Sequence, residues 1–284
     1  MNPQVRLVTA RHLPELAPDD QHLLAALTDR GVRTRVQVWD DPDVDWSLAP
    51  VTVIRSVFDY HLRQPEFLAW VDRVEPLTSL QNAPEIIRWN SHKSYLRRLA
   101  DDGFPTIPTE WVTRGETLDL AQILARRGWT EAVVKPAVSA SAHGTIKVTP
   151  GTLDEAQAHL NGLTQAGDAL VQPYLYEFET VGESALVWLG GRHSHDVRRP
   201  SGIHTSLEVA HEGAVLQPTP GEVALATRAF EWITPTPLYA RIDLLDTQEH
   251  GLLVLELELI EPALYLRHDR AIAERCANAV IALL

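Results

Sequence analysis

The sequence predicts a mixed α/β chain of three lobes: a small parallel α/β domain, a middle lobe, and a C-terminal lobe of antiparallel strands that is α+β in character. Three observations predict it. Short β-branched runs alternate with leucine-spaced helical runs over residues 1–90. The character changes at Ser91, where helix and extended proline-marked segments lead into a hairpin pattern that continues to about residue 170. Over residues 171–284, strand patterns follow one another with the tight connections of antiparallel pairing. A length of 284 residues, 45% of them hydrophobic, suffices for a substantial core but is long for one compact unit.

Taken in order, residues 5–9 and 32–39 read as strands. Between them DDQHLLAALTDRG carries acidic caps, leucines at helical spacing and a closing glycine. VTVIRSV supplies a third strand, PEFLAWVDRV a helix, and EIIRW is expected as a fourth strand. SHKSYLRRLADDG reads as an amphipathic helix ending at glycine, and FPTIPTEWV as an extended connection. After helix LAQILARRG, EAVVKPAVSASAHGTIKVTP forms a hairpin candidate, followed by helix LDEAQAHLNGL. LVQPYLYE, SALVWLGGRHSHDV, YARIDLLD and LLVLELELIEP read as strands, with helix GEVALATRAFEWI among them and a last helix at the end.

The bulk chemistry excludes several functions. A formal net charge of -13 argues against a general binder of nucleic acid or anionic membrane, since such surfaces need clustered Lys and Arg. The single cysteine, Cys276, sits in an Ala-rich run that reads as a helix face, which points to a reducing compartment. No signal peptide or membrane-length apolar run is visible, so the expected location is cytoplasmic. His193, His195, His204 and His211 cluster loosely, but without HExxH or Cys/His spacing they read as scattered polar residues. The role of that loop is left open.

Residues two apart on a strand share a face, so Arg241 goes with Asp243 and Glu256 with Glu258. If the two strands pair across DTQEHG with partner numbers summing to an odd value, 497 or 499, the two faces coincide. Leucines 253, 255, 257 and 259 are then expected to form the core face. Three carboxylates brought together suit one or two Mg ions, although spacing alone is equally compatible with a solvated acidic face. In VVKPAVSASAHGTIKV, Lys135 at a strand end precedes a turn of small residues holding Ser141 and Gly144. Such a turn can present backbone N–H groups to phosphate, or be an ordinary hairpin turn. Lys93 adds a third positive element, and Arg198 and Arg199 are planar donors for phosphate or carboxylate. Arg55, Asp59 and Tyr60 lie just after a strand's carboxyl end, where open α/β sheets bind ligands.

In this order the pieces resemble the ATP-grasp superfamily, in its glutathione-synthetase-like branch, from about Val51 to Leu266. IRSVFDYH, RWNSHKSYL and LELELIEP are similar to segments of the cyclo-ligase of D-cycloserine biosynthesis and its uncharacterised relatives. The resemblance implies an ATP-grasp fold with a middle lid lobe, ATP as cofactor, and Mg2+, one or two ions, with Mn2+ as an alternative. It makes Lys93 and Lys135 the two ATP lysines, and puts Gln172, Tyr174 and Leu175 around the base and Glu183 near the ribose. It aims Arg198 at the transferred phosphate, and matches Arg241, Asp243, Glu256 and Glu258 to an R-x-D then E-x-N signature, with Glu258 in place of asparagine. The loop SGIHTSLEVAHEG departs from the glutathione synthetase pattern, with Ser206 where that pattern has arginine.

The implied reaction activates a small carboxylate as an acyl phosphate and passes it to an amine, giving ADP and phosphate. Arg198 and Arg241 would be the catalytic arginines, and Arg55, Asp59 and Tyr60 the substrate side. One alternative is an intramolecular cyclo-ligase; another, of a different class, is a non-catalytic ATP-binding module. No G-x-G-x-x-G follows an early strand, which discounts a nucleotide-dependent oxidoreductase. The acid, the amine and the oligomeric state, a homodimer among the options, stay open.

Overall fold

A computed structural model describes residues 1–199 and 213–284. Among these, three sheets divide the chain. The first is parallel, in the order β2-β1-β3-β4, from β1 (Val5–Thr9), β2 (Thr34–Val38), β3 (Val51–Ser56) and β4 (Ser79–Gln81). α1 (Pro18–Asp29) crosses from β1 to β2 and α2 (Gln64–Val74) from β3 to β4. The alternating pattern of residues 5–74 thus becomes the expected parallel unit.

The fourth strand is not EIIRW. That segment lies in helix α3 (Pro84–Asn90), and Ser79–Gln81 takes the sheet edge instead. Pro84 explains the difference, since a fixed φ and a missing N–H suit the first turn of a helix. Isoleucines 86 and 87 are both buried, Ile86 among the C-terminal lobe's residues and Ile87 among those of the first sheet. The helix in SHKSYLRRLADDG starts later than expected, as α4 (Tyr95–Asp101), leaving Lys93 in the turn before it.

The middle sheet is antiparallel in the order β5-β8-β6-β7, from β5 (Glu110–Val112), β6 (Ala132–Pro136), β7 (Ile146–Val148) and β8 (Ala169–Pro173). Helices α5 (Leu120–Arg127) and α6 (Leu153–Ala166) cover one side, closing a core with Leu120, Ile123, Ala156 and Leu160. β8 carries this sheet past the division expected at 170/171.

The third sheet runs β11-β10-β9-β12-β13. Its strands are β9 (Glu183–Leu189), β10 (Arg192–Arg199), β11 (Ala214–Val215), β12 (Tyr239–Thr247) and β13 (Gly251–Glu258). The short helix α7 (Glu177–Thr180) leads into it, α8 (Pro220–Trp232) packs on one face, and α9 (Arg270–Ile281) on the other. Buried residues of α1, α9 and β9 form one continuous core, including Leu23, Leu27, Val187, Ile272 and Cys276. The first and third sheets are therefore joined by shared apolar packing. Among the described residues no helix is long and apolar enough to cross a membrane.

Candidate active site

The pairing of β12 with β13 sets the floor of a cleft. Arg241 lies opposite Glu258 and Asp243 opposite Glu256, a partner sum of 499. The odd sum puts all four side chains on the cleft side, as strand parity requires. Beyond Asp243 the register shifts and Leu244 pairs with Val254, so Leu255 is an extra residue. This bulge overturns the single leucine face. Leu253 and Leu255 pack with Ile107, Leu175 and Leu245 toward the cleft, while Leu257 and Leu259 pack with Val254 on the opposite side.

Ion pairs tie the floor together. Arg241 donates to both oxygens of Asp243 at 2.8 and 2.9 Å and reaches Glu258 Oε1 at 2.6 Å. Arg199 bridges Glu183 at 2.8 Å and Asp243 at 2.9 Å. Lys93, from the α3–α4 turn, stands 2.8 Å from Glu256 Oε1, and Lys135, from β6, stands 3.7 Å from the same oxygen. The Lys93 N–H donates to the Ala137 carbonyl, fastening that turn to the middle sheet just past β6.

Arg198 does not share this cleft. Neighbours on a strand point to opposite faces, and Arg198 turns away to the Gly182 carbonyl at 3.1 Å and Glu222 at 3.7 Å. Arg199 is the cleft residue.

Electrostatics follow from these placements. Although burial would raise its pKa, Lys93 and Lys135 pull the Glu256 carboxyl down to about 2. Burial lowers Lys135, with Lys93 adding repulsion, whereas at Lys93 burial is outweighed by Glu256 together with Glu258 and Glu261, which raise it. Burial, then the charges of Asp243 and Glu256, raise Glu258 against the pull of Arg241; Glu183 is raised the same way against Arg199. Among the described residues, Glu183, Asp243, Glu256, Glu258 and Glu261 line the cleft with Lys93, Lys135, Arg199 and Arg241 against them. This excess of hard oxygen donors, several with raised proton affinity, fits a divalent ion such as Mg2+. Each of Asp243, Glu256 and Glu258 is nevertheless held by a cation, and among the described residues no three His, Cys, Asp or Glu side chains form a ready metal group.

Above the floor lies the turn after β6. Ser141 (φ 50°), Ala142 (φ 56°) and Gly144 (φ 70°) all adopt positive φ, and the Ser139 hydroxyl donates to the His143 carbonyl at 2.8 Å. Left-handed backbone at non-glycine residues is strained and persists where a ligand clamp over-determines it. Ser139, Ser141 and Thr145 face the cleft; Gly144 does not, and a Cβ there would stand 3.2 Å from Pro136 Cγ. Gly144 thus shapes the turn rather than lining the cleft.

At one end Ile107, Val133, Tyr174, Phe178 and Leu255 give the cleft an apolar slot. Tyr174 donates to Glu179, and Lys147 Nζ lies 3.6 Å above its ring. Gln172 lines the slot and donates to Thr109 Oγ1 at 2.8 Å, while Leu175 lies beneath it, packed in the cluster with Leu253 and Leu255. Glu183, expected near a ribose, is occupied by Arg199. At the other end Phe58 and Tyr60 reach in from the first lobe.

Arg55 and Asp59 do not reach the cleft. Arg55 is 1% exposed, paired with Asp20 at 2.8 Å and donating to the Pro262 carbonyl at 2.6 Å. Asp59 pairs with Arg63 at 3.0 Å and accepts from Trp39 Nε1. Sequence reasoning missed Glu261, Tyr95 and Asn90, all lining the cleft. Only the third carboxylate in ELELIE signalled one of them. His195 is half-buried, with Nε2 2.9 Å from the Leu264 carbonyl, and His193 pairs with Asp196. His204, His211 and Ser206 lie outside the described residues.

Comparisons with known proteins agree with this geometry. Residues 5–82 match the family model described as the N-terminal domain of the D-cycloserine synthetase DcsG. The chain is 31% identical over 272 residues to the cycloserine biosynthesis protein DcsG of Streptomyces lavendulae, covering 91% of each. The chain belongs to the DcsG-like family of ATP-grasp proteins. It is an ATP-dependent ligase by that membership. The crystal structure of D-cycloserine synthetase DcsG superposes with a TM-score of 0.88 at 29% identity over 99% of each chain. A RimK domain ATP-grasp protein from Sphaerobacter thermophilus shares the fold at a TM-score of 0.70 and 17% identity, covering 98% of this chain and 99% of its own. The ATP-grasp ligase PsnB, solved with a precursor peptide and AMPPNP, does so at 0.66 and 15%, covering 100% and 98%.

Proposed function

We propose that the protein joins a small carboxylate to an amine nitrogen at the expense of ATP, through an acyl phosphate, releasing ADP and phosphate. The observation that carries this reading is one cleft lined by residues of all three lobes, with an apolar slot, two lysines, a small-residue turn, and Arg241 with a row of carboxylates on the floor. Tyr174, Phe178, Leu255 and Ile107 would sandwich the adenine. Lys93 and Lys135 would leave Glu256 for the phosphates, and the N–H groups near Ser139 to Thr145 would follow them. Asp243, Glu256 and Glu258 would hold Mg2+, with Mn2+ as a substitute. When bound, the ion neutralises phosphate charge and orients the γ-phosphate.

Arg199 and Arg241 would stabilise charge on the transferring phosphate and on the tetrahedral intermediate, held there by Asp243 before substrate arrives. Closure of the middle lobe would keep water from the acyl phosphate. The protein would work on small molecules, in the cytoplasm. A second reading is favoured by the whole-chain match to DcsG, named for D-cycloserine: carboxylate and nitrogen would belong to one molecule and the product would be a ring.

A screen of amino acids, dipeptides and hydroxyl or ureido amino acids tests the reaction, scoring ADP against AMP and product mass. Substrate-dependent ADP and phosphate release supports the ligase, and a product lighter than the substrate by one water or more supports ring closure. AMP as the nucleotide product, or nucleotide binding without turnover on any compound, contradicts the acyl phosphate route.

A further inference from the structure

Glu261 stands where the third lobe's chain leaves β13 and meets the first lobe, and its backbone surroundings are fixed from several directions. Asn82 Nδ2 donates to the Leu259 carbonyl at 2.7 Å, and Asn90 Oδ1 accepts from the Leu259 N–H at 3.1 Å. The Tyr239 hydroxyl lies 2.8 Å from the Ile260 carbonyl, Arg55 donates to the Pro262 carbonyl at 2.6 Å, and Arg241 donates to the Ala263 carbonyl at 3.2 Å. Asn82, Asn90, Tyr239, Arg55 and Arg241 are themselves buried. Ile260 anchors the segment further, packing into the tryptophan-rich core of the first lobe with Trp39 and Trp70.

The carboxylate held in this way feels the charges of Lys93 and Arg241, but among the described residues no side chain binds it directly. Glu261 is 8% exposed and lines the cleft, yet among the described residues no hydrogen bond or ion pair from another side chain reaches its carboxylate. The other four cleft carboxylates all have a cation within 2.9 Å. A buried carboxylate without a directly bound side-chain partner is costly, and one flanked by residues pinned at five backbone points is hindered from swinging out to relieve the cost. Its neighbours also select the missing partner. Phe58 and Tyr60 line the same end of the cleft, and Glu261 is the charged group that most affects the Tyr60 phenol. Aromatic rings beside a carboxylate that no cation pairs directly suit an organic ammonium, which an aromatic ring attracts and a carboxylate pairs with, better than a hydrated metal ion.

We propose that Glu261, walled by Phe58 and Tyr60, is the subsite for the ammonium group of an amino-acid substrate, orienting that substrate between the first lobe and the phosphates. This rests on the ligase reading above. It assigns Arg55 a positioning role: through Pro262 it fixes the carboxylate without touching the substrate.

Binding rather than turnover gives the test. The full chain is saturated with AMPPNP and Mg2+, and D-serine, L-serine and D-cycloserine are titrated by calorimetry, each as the free amine and as its N-acetyl derivative. The expected result is that at least one free amine binds and its N-acetyl form binds at least tenfold more weakly. Glu261→Gln should weaken the free amine at least tenfold while changing AMPPNP affinity less than threefold, with an unaltered circular dichroism spectrum. Equal binding of acetylated and free compounds, no binding by any free amine, or unchanged amine affinity in Glu261→Gln overturns the proposal and leaves the ligase reading standing. Loss of AMPPNP binding in Glu261→Gln also overturns it, by placing Glu261 with the nucleotide and metal. Failure of the wild-type protein to bind AMPPNP at all sinks the ligase reading itself.

Discussion

Replacing Glu256 by glutamine removes the charge that Lys93 and Lys135 share, at 2.8 and 3.7 Å, while keeping the side chain's shape. In the folded chain this carboxyl titrates at about 2, against an ordinary value of 4.5. The depressed folded-state value means that its ionised form stabilises the fold above pH 4.5, and that the stabilisation fades as pH falls toward 2. The difference corresponds to about 3 kcal/mol at pH 7 and, by the same linkage relation, to roughly half of that at pH 3. Glutamine mimics the protonated form, so urea unfolding of wild type and Glu256→Gln without nucleotide should differ by about these amounts at the two pH values. Equal stabilities at pH 7, or a gap that does not narrow at pH 3, would refute the claim that Glu256 neutralises both lysines in the nucleotide-free protein.

Arg55→Ala should destabilise the protein by about 3 to 5 kcal/mol, because it strands the buried Asp20 carboxylate; denaturant unfolding reads this, and a loss under 1 kcal/mol would argue against a structural ion pair. Arg199→Ala should lower kcat by about 10²-fold or more in the ligase assay, as loss of a donor to developing charge does. Arg198→Ala, which removes contacts to the Gly182 carbonyl and Glu222 outside the cleft, should stay within about twofold, and the reverse ranking would show that the wrong arginine faces the phosphate. Saturating nucleotide should slow amide hydrogen exchange around Ser139 to Gly144, and unchanged exchange there would count against the phosphate-binding turn.

What could be read from the sequence depended on whether periodicity alone decided it. The parallel unit of residues 5–74 and the convergence of Arg241, Asp243, Glu256 and Glu258 follow from strand alternation, which a sequence displays directly. The leucine face failed because one bulge at Leu255 reverses parity along half the strand, and nothing in LLVLELEL marks the extra residue. Arg198 and Arg199 are adjacent on β10, so one of them had to face the cleft; choosing between them needs the pairing of β10 with β9, a long-range fact. Arg55 sits at the carboxyl end of its strand as a ligand-binding residue would, but Asp20 on α1 and the Pro262 carbonyl take its guanidinium. EIIRW has strand-like composition, and the proline before it, together with packing on two lobes, made it a helix.

The central claim, that this cleft holds the triphosphate of MgATP between Lys93 and Lys135, is tested most directly by titrating ATP into wild type, Lys93→Ala and Lys135→Ala, with and without Mg2+. The account predicts metal-dependent binding in the wild type and at least tenfold weaker binding in each variant, with the fold intact by circular dichroism. Wild-type affinity in both variants, or affinity indifferent to Mg2+, would contradict it.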